Sequence, residues 1–406
     1  MARKRSKPFT PSVHRAEDLA ETFYNVLEPG SRKYMAVAKK LGIQVPHDAN
    51  GRRALENRIG RKIRRLEELG RVRHIILPSD ARNSYPPLLP ELEDHIREIY
   101  GLRDVVVVDV TRVEKNETLS DFDRDDQIHQ LLGMWGARVL VSQIRPDDVV
   151  GIGSGRGVAC SAEHCQSHTV HKPRAVVSLT GSFPIMGPWA SDSDEVNLNS
   201  DAIIGSLSSK LGSAVPFPVG ARIQRRKHDE DALRRLEKNQ DDATLALIGI
   251  GALGGGHRLI KYPPDKLAAE LEEAREAIVS LRRVVANADT KELPLGGHWI
   301  GDISNYLFMV EGGDSGNDMS CDLQQAVAQI NEQFLSTPPE VFQRICERNG
   351  AVIAVAGGAH KTSAIRHVIA AQRRGERGDK KPWITHLITD SSVARKLLEM
   401  DGRQSS

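Results

Sequence analysis

The sequence predicts an α/β protein in two parts, a basic winged helix-turn-helix head followed by an acidic body on a Rossmann-like parallel sheet. Three observations predict it: a sharp change in charge along the chain, three amphipathic helical patterns closed by an alternating segment, and valine-rich runs that alternate with helical patterns. The 406 residues exceed what one compact core holds, and a prior of about 150 residues per domain gives two units. With 39% hydrophobic and 27% charged residues, the composition is that of a soluble chain. No apolar run approaches the ~18 residues of a membrane span, so no membrane partner is expected. The start, Arg3-Lys4-Arg5-Ser6-Lys7, is basic but leads into no apolar stretch, which points to the cytoplasm. Four cysteines make no disulfide framework and fit a reducing compartment. Cys321 and Cys346 read as buried apolar residues.

The formal net charge of +2 hides opposite halves. Residues 1–80 hold 18 Lys and Arg against 9 Asp and Glu, net +9, while the remainder holds 38 against 45, net −7. A basic head suggests a polyanionic partner, because each phosphate neutralised releases condensed counterions. Its pattern agrees. Leu19, Phe23, Val26 and Leu27 line one helical face before Pro29-Gly30. Met35, Val37, Ala38 and Leu41 line a second, stopped by Gly42. After a polar stretch, Pro46 to Gly51, a longer helix is expected from about Ala54 to Leu69, with Leu55, Ile59, Ile63, Leu66 and Leu69 buried. Its exposed side offers Arg52, Arg53, Asn57, Arg58, Arg61, Lys62, Arg64 and Arg65, residue types that reach phosphates and base edges. The alternating segment Arg71 to Pro78, with Arg73, follows a Gly turn as a β-wing would. A lone basic amphipathic helix is more often a solvated face. Three helices, a wing and the charge excess together make this one a recognition helix for a double-stranded DNA operator, with Arg3, Lys4, Arg5 and Lys7 as a phosphate-binding arm. The DNA-binding domain is set at residues 1–80.

Residues 81–90 read as a linker, since Pro86, Pro87 and Pro90 remove backbone donors and fix φ. The body, 91–402, opens with a helix near Glu91 to Tyr100. Strands are expected at Val105–Val108, Arg138–Ser142, Asp148–Ile152, Ala175–Thr180, Thr244–Ile250, Ala351–Val355 and Ile384–Thr389, and apolar runs of this kind suit strands covered on both faces.

One strand ends in Gly151-Ile152-Gly153-Ser154-Gly155-Arg156-Gly157. Glycines permit close backbone approach, Ser154 offers a hydroxyl, Arg156 a charged fork, and the following helix start favours an anion. The spacing is neither the dinucleotide fingerprint nor a Walker loop, so the loop is read as a phosphate cradle with no cofactor. A second strand, turn and helix start runs from Val355 through Gly357-Gly358 to Lys361 and Ile365. Two such loops on adjacent strands converge on one crevice at the strand ends of an α/β sheet; tight packing explains either glycine turn equally well. Cys160, His164, Cys165, His168 and His171 fall at helical spacings that would bring metal ligands to one face. The same residues make a partly buried helix, and no metal is assigned.

These residues carry a resemblance. The chain resembles the SorC-type sugar-binding transcriptional regulators, related to the bacterial deoxyribonucleoside regulator, over nearly its whole length. The landmarks are the helix-turn-helix, Tyr100-Gly101-Leu102-Arg103-Asp104-Val105, the loop 151–157, Leu247 to Gly251, Gly301-Asp302-Ile303, Ala356-Gly357-Gly358 with Lys361, and Leu387-Ile388-Thr389-Asp390. The resemblance implies an effector domain similar to phosphosugar isomerases and glucosamine-phosphate deaminases. By matching positions, Gly153, Ser154, Gly155, Arg156 and Gly157 would hold the phosphate of a phosphorylated sugar, while Asp302 and Lys361 would meet sugar oxygens. It also implies a homo-oligomer, a dimer or tetramer. The sequence departs from the family at Pro46–Gly51 and at Arg373–Pro382, where residues are added, and at Ser154, Gly155 and Gly157, where many relatives have a Thr or bulky aromatic.

The function expected is that of a transcriptional regulator, not an enzyme, whose DNA affinity is controlled by a sugar phosphate. The alternative is a phosphosugar isomerase or deaminase with an appended DNA-binding head, using Asp302 or Asp390 as a base. An RNA-binding adaptor lacks interleaved aromatics, at 4% of the chain.

Overall fold

The computed structural model describes residues 86–165, 171–181, 198–212, 215–219, 230–252, 298–311, 319–370 and 382–402, with residues 38, 45–46, 48, 50–55, 59 and 279. The chain divides into two compact units, Met1–Ser79 and Asp80–Ser406.

In the first unit, Asp48 Oδ1 accepts from the Gly51 N–H at 2.6 Å and the Asp48 carbonyl accepts from the Arg52 N–H at 3.1 Å. Residues 50–55 are helical. An aspartate that satisfies first-turn amides is a helix start, so this helix begins about a turn before the expected Ala54. The polar stretch is its capped opening. Arg52 and Arg53 are exposed and Leu55 is half-buried, while Ala38 and Ile59 are buried, as their inward positions require. Asn57, Arg58, Arg61, Lys62, Arg65, Arg73 and the wing lie outside the described residues.

The second unit opens on α1 (Pro90–Tyr100), with a proline at the helix start where no amide donor is needed. The preceding residues, expected as linker, are tied to the body from Pro86 onward. Leu88 bridges Val108, the Leu89 N–H donates to Val107 O at 3.0 Å, and Trp135 Nε1 donates to Pro86 O at 3.2 Å. This strip and the buried Glu93, whose Oε1 accepts from the Val107 N–H at 3.0 Å, cover the outer edge of β1 (Asp104–Val108). An uncovered edge would invite pairing with another chain.

The chain continues through α2 (Asp121–Gln143), β2 (Val149–Ile152), α3 (Arg156–His164), β3 (Ala175–Ser178), α4 (Ser200–Lys210), β4 (Val215–Phe217), α5 (Glu230–Asp242) and β5 (Leu245–Ala252). The antiparallel hairpin β6 (His298–Ile303) and β7 (Tyr306–Glu311) follows, then α6 (Met319–Gln333), α7 (Pro339–Glu347), β8 (Ala351–Val355), α8 (Thr362–Ala370), β9 (His386–Asp390) and α9 (Ser391–Gly402). The sheet order is β1-β9-β8-β5-β2-β3-β4, all parallel, with β6 joined antiparallel to the far end of β5. Alternate residues such as Val105, Val107, Ala246, Ile248, Val352 and Ala354 pack with α1, α7, α8 and α9 in one core. Six of the seven strands expected from the sequence are present within two or three residues.

The seventh is not a strand. Arg138–Ser142 belongs to α2, whose start is capped by Ser120 Oγ accepting from the Asp123 N–H at 3.1 Å. A five-residue apolar run has no period of its own. The helix shows only when Leu132, Trp135 and Val139, all buried, are read together at intervals of three and four. Two glycines let α2 lie close on α3: a Cβ at Gly133 would stand 2.5 Å from Cys160 Cβ, and one at Gly136 would strike Ser161 Oγ. The sequence reading also left out β4 and the β6–β7 hairpin.

Candidate functional site

Chain order reverses between β5 and β2: from β2 the next strands build outward through β3 to β4, and from β5 they build through β8 and β9 the other way. Loops leaving the carboxyl ends of β2 and β5 therefore part to opposite faces and leave a crevice, the usual ligand position in open α/β sheets. The two glycine loops follow β2 and β8. The sequence reading put the two loops on adjacent strands; instead β2 and β8 flank β5. They still approach, because a Cβ on Gly157 would stand 2.8 Å from Val355 O.

The loop after β2 is built by its glycines. Gly155, at φ 121° and ψ 163°, occupies backbone space that a side chain disfavours. Gly153 leaves no room: a Cβ there would stand 2.5 Å from Ser304 Oγ. The expected cradle of loop amides is partly spent within the protein. The Gly153 N–H donates to Leu247 O at 2.9 Å, and the Gly155 N–H donates to Leu198 O at 3.1 Å. Ser154 Oγ donates to Asn305 Oδ1 at 2.8 Å. The donors that α3 leaves unused within itself, the first-turn amides beginning at Arg156 and Gly157, are those a bound anion would meet.

A charged cluster crosses from this loop to the one after β8. Arg156 Nη1 donates to Asp125 Oδ2 at 3.1 Å. Asp125 stands on α2, one turn before His129, whose Nδ1 lies 2.7 Å from the Asp125 carbonyl oxygen. That carbonyl can only accept, so Nδ1 holds the ring proton and Nε2 accepts from Lys361 Nζ at 3.2 Å. Burial, reinforced by the Lys361 ammonium, pushes the His129 pKa down to about 3. Burial likewise holds the Lys361 ammonium below its usual range, with Asp125, Asp302 and Asp390 opposing and Arg156 reinforcing the shift. Burial lowers His360 as well. Asp302 pairs with Gly251 across β5 and β6, where a Cβ on Gly251 would collide with its carboxylate.

The structure thus gathers Gly153, Ser154, Gly155, Arg156 and Gly157 with Asp302 and Lys361 around the end of β5. Sequence reading missed Asp125, His129 and Asn305. Asp125 and His129 stand some thirty residues before the loop, in a stretch rich in Asp and Arg that reads as a solvated helix start; only their four-residue spacing was available as a signal. Asp390, a candidate base in the enzyme reading, is fully engaged. It is buried, its Oδ2 accepts from the Gly358 N–H at 2.6 Å, and its Oδ1 accepts from the Ser392 and Val393 amides, each at 2.9 Å, and from Ser392 Oγ. It orders two loops.

Cys160 and Cys165 are buried thiols whose pKa values are pushed up to about 12, mainly by burial. His164 Nε2 lies 2.9 Å from Gln130 Oε1, and His168 lies outside the described residues. Among the described residues no three His, Cys, Asp or Glu side chains group as metal ligands. Cys346 is buried, as expected; Cys321 is outside the described side chains. No helix among the described residues is long and apolar enough to cross a membrane.

Residues 88–280 match the family model Sugar-bind, described as "Putative sugar-binding domain". A transcriptional regulator from Streptococcus pneumoniae TIGR4 is 18% identical, with 77% of this chain and 97% of that one covered and a TM-score of 0.52, which shows a shared fold. The full-length sorbitol operon regulator SorC from Klebsiella pneumoniae is 17% identical over 94% of this chain and 98% of that one, TM-score 0.49. The probable sor operon regulator from Shigella flexneri is 20% identical over 75% and 98%, TM-score 0.47. The segment that holds β1 to β5 thus matches the model of a sugar-binding domain, in keeping with the resemblance read from the sequence.

Proposed function

We propose that this chain is a DNA-binding transcriptional regulator whose affinity for its operator is set by a phosphorylated sugar. The effector is held where Gly153–Gly157 meet Asp302 and Lys361. The observation that supports this best is the meeting of two cations, Arg156 and Lys361, with a helix start at the strand ends where the sheet order reverses. Groups that a phosphate can displace hold both cations: the partly exposed Asp125 carboxylate on Arg156 and the neutral His129 imidazole on Lys361. Exchange of these partners moves α2 and α3 relative to β8, which is the kind of differential contact a two-state switch requires. The family match and the neighbours named as operon regulators favour regulation over turnover. Asp390, with four donors already on it, offers the isomerase reading no base. The basic head, net +9 over residues 1–80, supplies the phosphate contacts of the DNA half, with Arg52, Arg53, Asn57, Arg58, Arg61, Lys62, Arg65 and Arg73 as its candidates, and the protein works as a cytoplasmic homo-oligomer.

The test is a titration of the full chain on its gene's own upstream DNA, with and without a panel of sugar phosphates, at two salt concentrations. Sequence-preferring binding that weakens with salt and shifts with one sugar phosphate is expected. Binding without sequence preference sinks the reading, and turnover of the sugar phosphates supports the enzyme instead. Arg61→Ala should weaken DNA binding by roughly tenfold or more and leave effector-induced thermal stabilisation intact. Lys361→Ala should do the reverse.

A further inference from the structure

The β6–β7 turn sets two hydrogen-bonding side chains against the glycine loop. Ser304 and Asn305 join Ile303 to Tyr306 as a two-residue turn with φ of 48° and 66°, the doubly left-handed geometry that glycine and asparagine favour in tight hairpins. Serine suits that backbone poorly. Ser304 is 1% exposed. Its Oγ and the Asn305 Nδ2 are shut off from solvent and have no hydrogen-bond partner among the described residues. The Asn305 amide is oriented by the Ser154 hydroxyl, which donates to its Oδ1 at 2.8 Å. The Ser304 hydroxyl lies over Gly153, close enough that a Cβ there would stand 2.5 Å away. A buried donor without an acceptor weakens a fold. Two of them at one turn, in a backbone conformation that glycine would take more easily and on side chains that contact the loop read as an anion cradle through Ser304 Oγ and Asn305 Oδ1, indicate an acceptor that arrives with a ligand.

We propose that Ser304 and Asn305 are effector-binding residues, with Ser304 Oγ and Asn305 Nδ2 donating to phosphoryl oxygens of the ligand on the Gly153–Gly157 loop. This rests on the sugar-phosphate reading and adds to it a third wall, built from the hairpin. The acceptor chemistry is that of a phosphoryl group, whether free or attached to a sugar.

Ser304→Gly, Asn305→Gly and the double variant of the full chain test it. Glycine adopts the left-handed turn without strain, so the ligand-free melting temperature of each variant is expected at or above that of the parent. The sugar phosphate that stabilises the parent should need about tenfold higher concentration to give the same shift in each single variant, the loss of one hydrogen bond to a charged acceptor. Inorganic phosphate, run in parallel, should show the same tenfold loss, because the donors read the phosphoryl oxygens. Unchanged affinity in the double variant overturns the assignment. So does a lowered ligand-free melting temperature with affinity retained, which marks the side chains as structural. A parent chain that responds to neither sugar phosphates nor phosphate overturns the effector reading itself; a parent that responds while the variants match it overturns only the role of the hairpin.

Discussion

Replacement of Asp390 by alanine is expected to lower the unfolding free energy of the 80–406 unit by about 3–4 kcal/mol, a large effect for one side chain. The carboxylate sits at the end of β9, wholly buried, and serves two loops at once. Its Oδ1 caps the start of α9 through the Ser392 and Val393 amides, and its Oδ2 holds the Gly358 N–H of the turn that leads to Lys361. Loss of a cap costs about 1 kcal/mol, and each buried amide left without an acceptor adds about 1–3 kcal/mol. The site cannot refill, because the Cβ of residue 357 is already excluded: one there would stand 2.5 Å from Asp390 Oδ2. Asp390→Asn keeps an oxygen for the α9 amides but turns an NH2 group toward Gly358, so about half the loss is expected. Urea unfolding followed by tryptophan fluorescence reads this cleanly, since Trp135, Trp189, Trp299 and Trp383 all lie in the second unit. A change below 1 kcal/mol for Asp390→Ala would refute the role given to the carboxylate.

The same residue shows what a sequence can tell. Leu387-Ile388-Thr389-Asp390 is legible as a buried strand with a polar end, and so are the other valine-rich runs, because a strand covered on both faces needs unbroken apolar character and little else. Arg138–Ser142 passed the same test and failed, since helix and strand differ there only in the spacing of residues well outside the run. The glycine loop was legible as a close approach. What approaches it was not: Asn305 lies 151 positions from Ser154, and nothing local in Ser304-Asn305 marks a hairpin turn that usually contains glycine. Lys361 stood out because it follows a glycine turn, whereas Asp125 and His129 belong to the site only because α2 crosses the ends of β8 and β9, a matter of sheet order. In the first unit, Pro46–Gly51 reads from the sequence as a polar break and is instead the capped start of the helix at 50–55, because the Asp48 hydrogen bonds are geometry and not composition.

Acidification from pH 7.5 to pH 5 is expected to weaken the second unit by about 2 kcal/mol through His129 alone. In the unfolded chain a histidine takes up a proton near pH 6.5. In the fold, burial and the neighbouring Lys361 and Arg156 charges depress that uptake to about 3, against the opposing pull of Asp125. The unfolded state therefore binds the extra proton first. The stabilisation is complete above pH 6.5 and declines at up to about 1.4 kcal/mol per pH unit on the way down to 3. His360 and His164 are shifted in the same direction by burial and add to the fall. His129→Gln removes the titration while leaving an oxygen that can accept from Lys361, so its stability should change much less over the same range; a variant as pH-sensitive as the parent would move the effect to other groups. The folded site itself is spared over this range. With its uptake depressed to about 3, His129 stays neutral between pH 6.5 and 5 and Nε2 keeps accepting from Lys361 at 3.2 Å, so sugar-phosphate affinity of the folded chain should follow ligand ionisation alone there, and an excess loss of affinity that His129→Gln abolishes would refute the depressed uptake.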